Sequence, residues 1–244
     1  MVQAEQLATD IAQWLRDYVD RAGASGYVLG LSGGIDSAVA AALCQRAVGD
    51  QVLGVLMPVR SLAEDAEMAH LVAAALDLET VTVDLGPAFD ALVAALPFEP
   101  GDMAEANIKP RLRMTTLYAL GQTRGYLVVG TGNKSERMVG YFTKYGDGGV
   151  DVAPLGDLYK HEVRALARVL GVPTPVIERP PSAGLWQGQT DEGELGMTYD
   201  DLDHALHAIE TGDTSDVDPQ LLTRIEARIV TTEHKRTLPP MYYK

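Results

Sequence analysis

Residues 27–58 leave this chain few choices of fold. Tyr27 to Leu31 reads as a buried strand, Asp36 to Val48 as an alanine-rich helix, and Gln51 to Met57 as a second strand ending at Pro58. A strand, a crossover helix and a second strand make a βαβ unit. The joint between the first strand and the helix is Gly30-Leu31-Ser32-Gly33-Gly34-Ile35-Asp36-Ser37.

The pattern repeats downstream. Ser61 and Glu64 have capping-box spacing ahead of a helix to Leu76, and Glu79 to Asp84 reads as a strand. A short helix is predicted from Pro87 to Leu96, a longer one from Asp102 to Arg124, and a strand from Tyr126 to Val129. An amphipathic helix precedes them all, with Leu7, Ile11, Trp14, Leu15, Tyr18 and Ala22 at three- and four-residue steps. Strands alternating with helices predict an α/β fold, a three-layer parallel sheet with helices on both faces. After Gly130 the chain turns glycine-rich and polar, interrupted by one clear helix from Lys160 to Leu170. Two helices close it, about Tyr199 to Glu210 and Pro219 to Thr231, the latter capped by Asp218. No repeat or linker divides the sequence, so residues 1–244 read as one domain.

Composition excludes several classes. With 46% hydrophobic residues in a chain of 244, a full core forms without staples, and the single cysteine, Cys44, offers no disulfide framework or Cys cluster for a metal. Glu5 and Asp10 break up the start, and no apolar run approaches the ~18 residues of a membrane span. A cytoplasmic protein away from membranes is expected. The net charge of −14 repels a nucleic-acid backbone. That charge is uneven: residues 105–168 hold ten Lys or Arg against six Asp or Glu, whereas residues 180–223 hold ten acids and no Lys or Arg. Such stretches read equally well as solvated helix faces or as local binding fields.

The chemistry concentrates at the glycine-rich joint. Its glycines let backbone approach a ligand, and free N–H groups opening the helix would face an anion at the carboxyl end of the strand. This is a phosphate cradle without the GK[ST] of a Walker loop, unless the glycines serve only to connect strand and helix. An acid within such a loop repels phosphate unless a cation intervenes. Asp36 therefore reads as a magnesium ligand, the alternative being a helix cap.

The run LSGGIDSAVAAAL resembles the pyrophosphatase-type loop of enzymes that attack the α-phosphorus of ATP. NIKPRLRM (107–114), VVGTGNKSE (128–136), GYFTKYGDGGVDVAPLGDLYK (140–160), GLWQGQTDEGELGMTYDDLD (184–203) and EHKR (233–236) are similar, in order and spacing, to the ammonia-dependent NAD synthetases. The resemblance covers nearly the whole chain and implies an adenine nucleotide alpha hydrolase-like, Rossmann-like fold. It implies that Gly30, Leu31, Ser32, Gly33, Gly34, Ile35, Asp36 and Ser37 hold the ATP phosphates, with Thr131, Lys160 and Ser182 as further ATP contacts. Asp36 and Glu136 would bind Mg2+. Arg111, Lys144, Asp151, His234 and Lys235 would contact deamido-NAD. Position 182 is Ser where many relatives carry Thr, and the hydroxyl is kept.

By the same resemblance, the nicotinate carboxylate attacks the α-phosphorus, giving an acyl-adenylate and pyrophosphate; ammonia then displaces AMP. Lys160 would neutralise the leaving pyrophosphate, and Asp151 is expected to help take a proton from ammonium. Glutamine-dependent relatives carry an extra amidase domain for which this length leaves no room, so free ammonia is the expected nitrogen source. A homodimer is expected.

Other residues point elsewhere. Lys160 shares an i, i+4, i+8 stripe with Arg164 and Arg168, which alone reads as an exposed helix face. Cys44 reads as a small buried hydrophobe. His70, His161, His204 and His207 show no metal-ligand spacing, and Trp186 and the tyrosines of 141–159 read as packing or as ring-stacking groups. Two rival functions remain: another adenylating enzyme with the same loop, and a non-catalytic ATP sensor. The first includes RNA thiolation, which the charge and the lack of Cys pairs oppose. The second would not need both Asp36 and Glu136.

Overall fold

The computed structural model describes residues 2–186 and 188–244; Gln187, within the GLWQGQ run, lies outside them. Helix α1 (Val2–Ala22) leads into strand β1 (Gly26–Gly30), helix α2 (Ile35–Val48) and strand β2 (Val52–Leu56). Helix α3 (Ala63–Leu76), strand β3 (Thr80–Thr82), helices α4 (Gly86–Ala95), α5 (Asp102–Ala106) and α6 (Ile108–Arg124), and strand β4 (Tyr126–Val128) follow. The later regular elements are helices: α7 (Lys134–Met138), α8 (Lys160–Val169), α9 (Thr174–Glu178), α10 (Asp191–Leu195), α11 (Tyr199–Thr211) and α12 (Pro219–Thr231).

The strands pair in parallel in the order β3-β2-β1-β4. The chain thus winds outward from β1 through β2 to β3, then crosses back to place β4 on the other flank of β1. The winding reverses between β1 and β4, and ligands of open α/β sheets sit outside the carboxyl ends of the strands at such a point. The glycine-rich joint leaves β1 there.

Side chains alternate across the sheet as the pleat demands. Tyr27, Leu29 and Leu31, with Val52 and Leu56, pack under α1, α2, α3 and α8. Val28, Leu53, Val55 and Val128 face the other way, onto Leu117 of α6 and Phe89 of α4. The alanines of α2 are buried on all sides because α1, α8 and the sheet close around it, and Cys44 is fully enclosed among them. A separate cluster, including Tyr199, Leu202, Leu206 and Ile225, joins α11 and α12 to the end of α7.

Four expectations are corrected. Ser61 does not cap α3: Leu62 is the cap residue, no side chain bonds the helix start, and Ser61 Oγ instead accepts the Val59 N–H at 3.2 Å. The helix expected from Asp102 to Arg124 breaks at Asn107, since Pro110 cannot donate to residue 106 and is accommodated only in a first turn. The strand expected from Glu79 to Asp84 is only Thr80–Thr82, because β3 is the edge of the sheet. The polar stretch after Gly130, read as irregular but for one helix, contains the short helices α7, α9 and α10 as well.

Candidate active site

The glycine-rich joint builds its own shape. Gly33 has φ +80, and a Cβ there would lie 2.5 Å from the Asp65 carbonyl oxygen of α3, so side chains other than hydrogen are excluded by strain and by contact. Ser37 Oγ donates to the Gly34 carbonyl at 2.9 Å and accepts the Ser32 N–H at 3.3 Å, while Ser32 Oγ accepts the Gly34 N–H at 3.2 Å. Helix α2 has no side-chain cap. Its first-turn amides therefore keep their donors at the positive end of the helix dipole. Asp36 is the second residue of the helix, not its cap.

Three elements far apart in sequence meet at Asp36. Asn133 Nδ2 donates to Asp36 Oδ1 at 2.9 Å, and Lys160 Nζ donates to Oδ2 at 2.5 Å. The same ammonium lies 3.5 Å from Glu136 Oε1. Glu136 sits in a capping box at the start of α7, where Asn133 accepts the Glu136 N–H and Glu136 accepts the Asn133 N–H. Tyr199 O–H lies 3.1 Å from Glu136 Oε1 and 2.9 Å from Asp191 Oδ2, and its ring underlies the Lys160 ammonium at 4.7 Å. Lys160, first residue of α8, is 1% exposed.

The electrostatics follow from this crowding. Burial, then repulsion from Asp36, raises the Glu136 pKa. Burial opposes the Lys160 charge, but Asp36 and Glu136 outweigh it and hold the ammonium protonated. Asp191 is raised chiefly by burial. Oxygen-only donors on two neighbouring carboxylates suit a hard divalent cation that takes its remaining ligands from phosphate and water, so Asp36 and Glu136 fit magnesium.

Beside the cradle opens a cavity of about 800 Å³. Of the residues expected in the site, Gly30, Leu31, Ser32, Gly34, Ile35, Asp36, Ser37, Thr131, Glu136, Ser182 and Lys235 line it. Gly33 turns its backbone toward α3, and Lys160 stands behind the two carboxylates. Lys235 Nζ donates to the Gly140 and Phe142 carbonyls at 2.7 and 2.8 Å. Arg111, Lys144, Asp151 and His234 are not in the wall. Arg111 reaches the Lys144 carbonyl at 3.4 Å, and Lys144 Nζ donates to the His234 carbonyl at 2.5 Å, so these three form a strip joining α6 to the chain end. Asp151 is committed to the sheet edge: Oδ1 accepts the Tyr118 hydroxyl at 2.9 Å and Oδ2 the Val128 N–H at 2.8 Å. Each oxygen thus accepts one hydrogen bond, which leaves lone pairs on an exposed carboxylate outside the cavity wall.

Some wall and network residues were not anticipated. Arg113 lines the cavity, with Nε donating to the Met57 carbonyl at 3.2 Å and Nη2 to Ser61 Oγ at 3.4 Å; burial lowers its pKa. Asn133, Asp191 and Tyr199 complete the carboxylate network. For Asn133 a signal existed: Asn133-x-x-Glu136 has capping-box spacing. The stripe of Lys160, Arg164 and Arg168 is not uniformly exposed, since its first member is buried in the site and Arg164 pairs with Asp200 at 3.3 Å.

Residues 7–239 match the family described as NAD synthase. The NH(3)-dependent NAD(+) synthetase of Carboxydothermus hydrogenoformans is 47% identical over 242 residues, 98% of this chain and 97% of that one. Among solved structures, an NMN synthetase from Francisella tularensis superposes with a TM-score of 0.91 at 37% identity, covering 98% of both chains. An NH3-dependent NAD synthetase from Campylobacter jejuni, in complex with the nitrate ion, gives 0.86 at 31% identity over 98% of this chain and 99% of that one.

Proposed function

The chain belongs to the NAD synthase family, and from that premise we infer that it converts deamido-NAD and ammonia to NAD with ATP as co-substrate. The observation that carries the reading at this site is the Lys160 ammonium, bonded to Asp36 and set against Glu136 where α2 begins beside an uncapped turn of amides. Gly30 to Ser37 hold the triphosphate through backbone donors, with Thr131 and Ser182 adding hydroxyls. Lys160, buried behind Asp36 and Glu136, adds a positive charge to the phosphate end of the site that offsets charge building on the departing pyrophosphate, and the carboxylates beside it keep it protonated. Asp36 and Glu136 would hold Mg2+, which supplies charge neutralisation on the phosphates when bound.

The acid substrate meets Lys235 in the cavity and Arg111, Lys144, Asp151 and His234 along the adjoining surface. These residues orient the nicotinate carboxylate toward the α-phosphorus, and the acyl-adenylate so formed is opened by ammonia with release of AMP. The chain needs no nucleophile of its own; positioning and charge neutralisation are its contribution. The finer reading is a cytoplasmic homodimer, checked by sedimentation and fractionation.

Pyrophosphate release from ATP, measured with and without deamido-NAD, tests the function. Release that depends on deamido-NAD supports it, whereas ATP binding without release returns the sensor reading. Because one similar structure is an NMN synthetase, nicotinate mononucleotide belongs in the same assay as a competing acid substrate. Deamido-NAD is expected to give the higher kcat/KM, and ammonium to replace glutamine fully as nitrogen donor.

A further inference from the structure

Asp203, on α11, is 4% exposed and lies outside the cavity wall. Its carboxylate nevertheless gathers three donors. The Ser135 hydroxyl donates to Oδ1, the His161 backbone N–H donates to Oδ2 at 3.0 Å, and His161 Nδ1 lies 2.9 Å from the same oxygen. Ser135 Oγ in turn accepts the Lys160 backbone N–H at 3.1 Å. The two residues that Asp203 grips are the chain neighbours of Glu136 and Lys160, whose side chains converge on Asp36.

Helix α7 has only five residues, too few to fix its own orientation by hydrogen bonding. Helices α7 and α8 meet directly through the Ser135 hydroxyl and the Lys160 N–H, and Asp203 holds both sides of that contact, Ser135 on one and the next N–H of α8 on the other. A carboxylate that accepts from the first turn of α8 caps that helix from outside, where the dipole favours negative charge, and its other oxygen holds α7. An amide or apolar residue at position 203 would leave at least one of these donors unanswered in a buried place.

We infer that Asp203 is a positioning residue for the phosphate end of the site: through Ser135 and the start of α8 it sets the separation of Glu136 and Lys160. The inference rests on the reading of that cluster as the ATP site. It therefore applies to turnover and ATP affinity, and not to binding of the acid substrate at Lys235 and the strip beyond the wall.

The test compares wild type with Ser135→Ala, Asp203→Asn, Asp203→Ala and the double variant Ser135→Ala/Asp203→Ala. Each is assayed for kcat, for KM of ATP and of deamido-NAD, for ATP affinity by calorimetry and for melting temperature. The expected result is a fall of roughly tenfold or more in kcat/KM for ATP in Asp203→Ala, with KM for deamido-NAD within about twofold of wild type. Asp203→Asn recovers part of the loss, and the double variant is scarcely worse than Asp203→Ala alone, because both changes cut one chain of contacts. If Asp203→Ala does not fold, Ser135→Ala carries the test, with a smaller loss confined to the ATP parameters. Unchanged ATP parameters, multiplied effects in the double variant, or equal losses for both substrates that vanish on cooling would overturn the inference. Wild-type enzyme lacking deamido-NAD-dependent pyrophosphate release would instead defeat the underlying function.

Discussion

Individual residues in this site owe their chemistry to neighbours that no local pattern reveals. Asp36 was legible because an acid in a phosphate loop is chemically incongruous. That it shares one ammonium with Glu136 required α8 to return across the sheet, and the stripe Lys160, Arg164, Arg168 pointed by itself to an exposed face. Losing a charge-assisted hydrogen bond of this kind costs about 1.5–3 kcal/mol, so Asp36→Asn is expected to lower turnover by about tenfold to over a hundredfold in steady-state NAD formation. Cys44 is the contrasting case. It is enclosed by α1, α8 and the sheet, and burial pushes its thiol pKa up, away from the reactive thiolate. Cys44→Ala is expected to leave kcat and both KM values unchanged and to reduce unfolding free energy by about 1 kcal/mol. A Cys44 variant as impaired in turnover as the Asp36 variant would remove the basis for both assignments. Asp151 marks the limit of motif reading: the family resemblance implied its place among the substrate contacts, but its engagement with Tyr118 and Val128 was not legible in the sequence.

At the scale of elements, long periodic segments were legible and short ones were not. Helix α1 and the βαβ unit carry more than one turn or pleat of apolar signal, whereas α7, α9 and α10 have five residues each and therefore no period to read. Their caps were the only trace, as with Asn133 and Glu136 at α7. Helix α11 shows how these small pieces are held. Besides Asp203 it carries Glu210, which accepts from Lys134 of α7 and from the Tyr159 hydroxyl ahead of α8, at 2.9 and 2.6 Å. The bonds to Lys134 and Tyr159 lower the Glu210 pKa below the ordinary carboxylate range. A depressed acid contributes stability that is present above its unfolded pKa and is lost as pH falls through the folded value. Glu210→Gln is therefore expected to lower unfolding free energy at pH 7 and to converge with wild type in acid, below the folded pKa. Solvent screening at this partly exposed pair keeps the difference to about 1 kcal/mol or less. Urea unfolding of both proteins across that range checks the sign, and a gap that widened in acid would contradict it.

For the whole molecule, charge balance and sheet order act together. The order β3-β2-β1-β4 opens the crevice beside β1, and it was only partly legible: alternation predicted a parallel sheet, but which flank β4 joins is decided by packing of α6 against β1 and β4. Into that crevice the fold turns Asp191 and Glu194 of the acidic stretch, but of the ten bases of 105–168 only Arg113. Among the described residues, the cavity wall carries six Asp or Glu (positions 36, 65, 136, 147, 191 and 194) and four Lys or Arg (positions 113, 179, 228 and 235), within a chain of net charge −14. Such a field draws in ammonium and holds anionic nucleotides back until they reach the cradle. Screening should therefore move the two kinds of substrate in opposite directions. Raising ionic strength from about 20 to about 200 mM with tetramethylammonium chloride, which shortens the screening length to roughly 7–10 Å, is expected to raise KM for ammonium about two- to threefold. Over the same range KM for deamido-NAD should fall or stay level, because its close contacts in the cavity are screened less than its approach. If KM for deamido-NAD climbed with salt while that for ammonium did not, the basic residues of the 105–168 stretch would govern the approach, and the acidic wall would have no part in recruiting nitrogen.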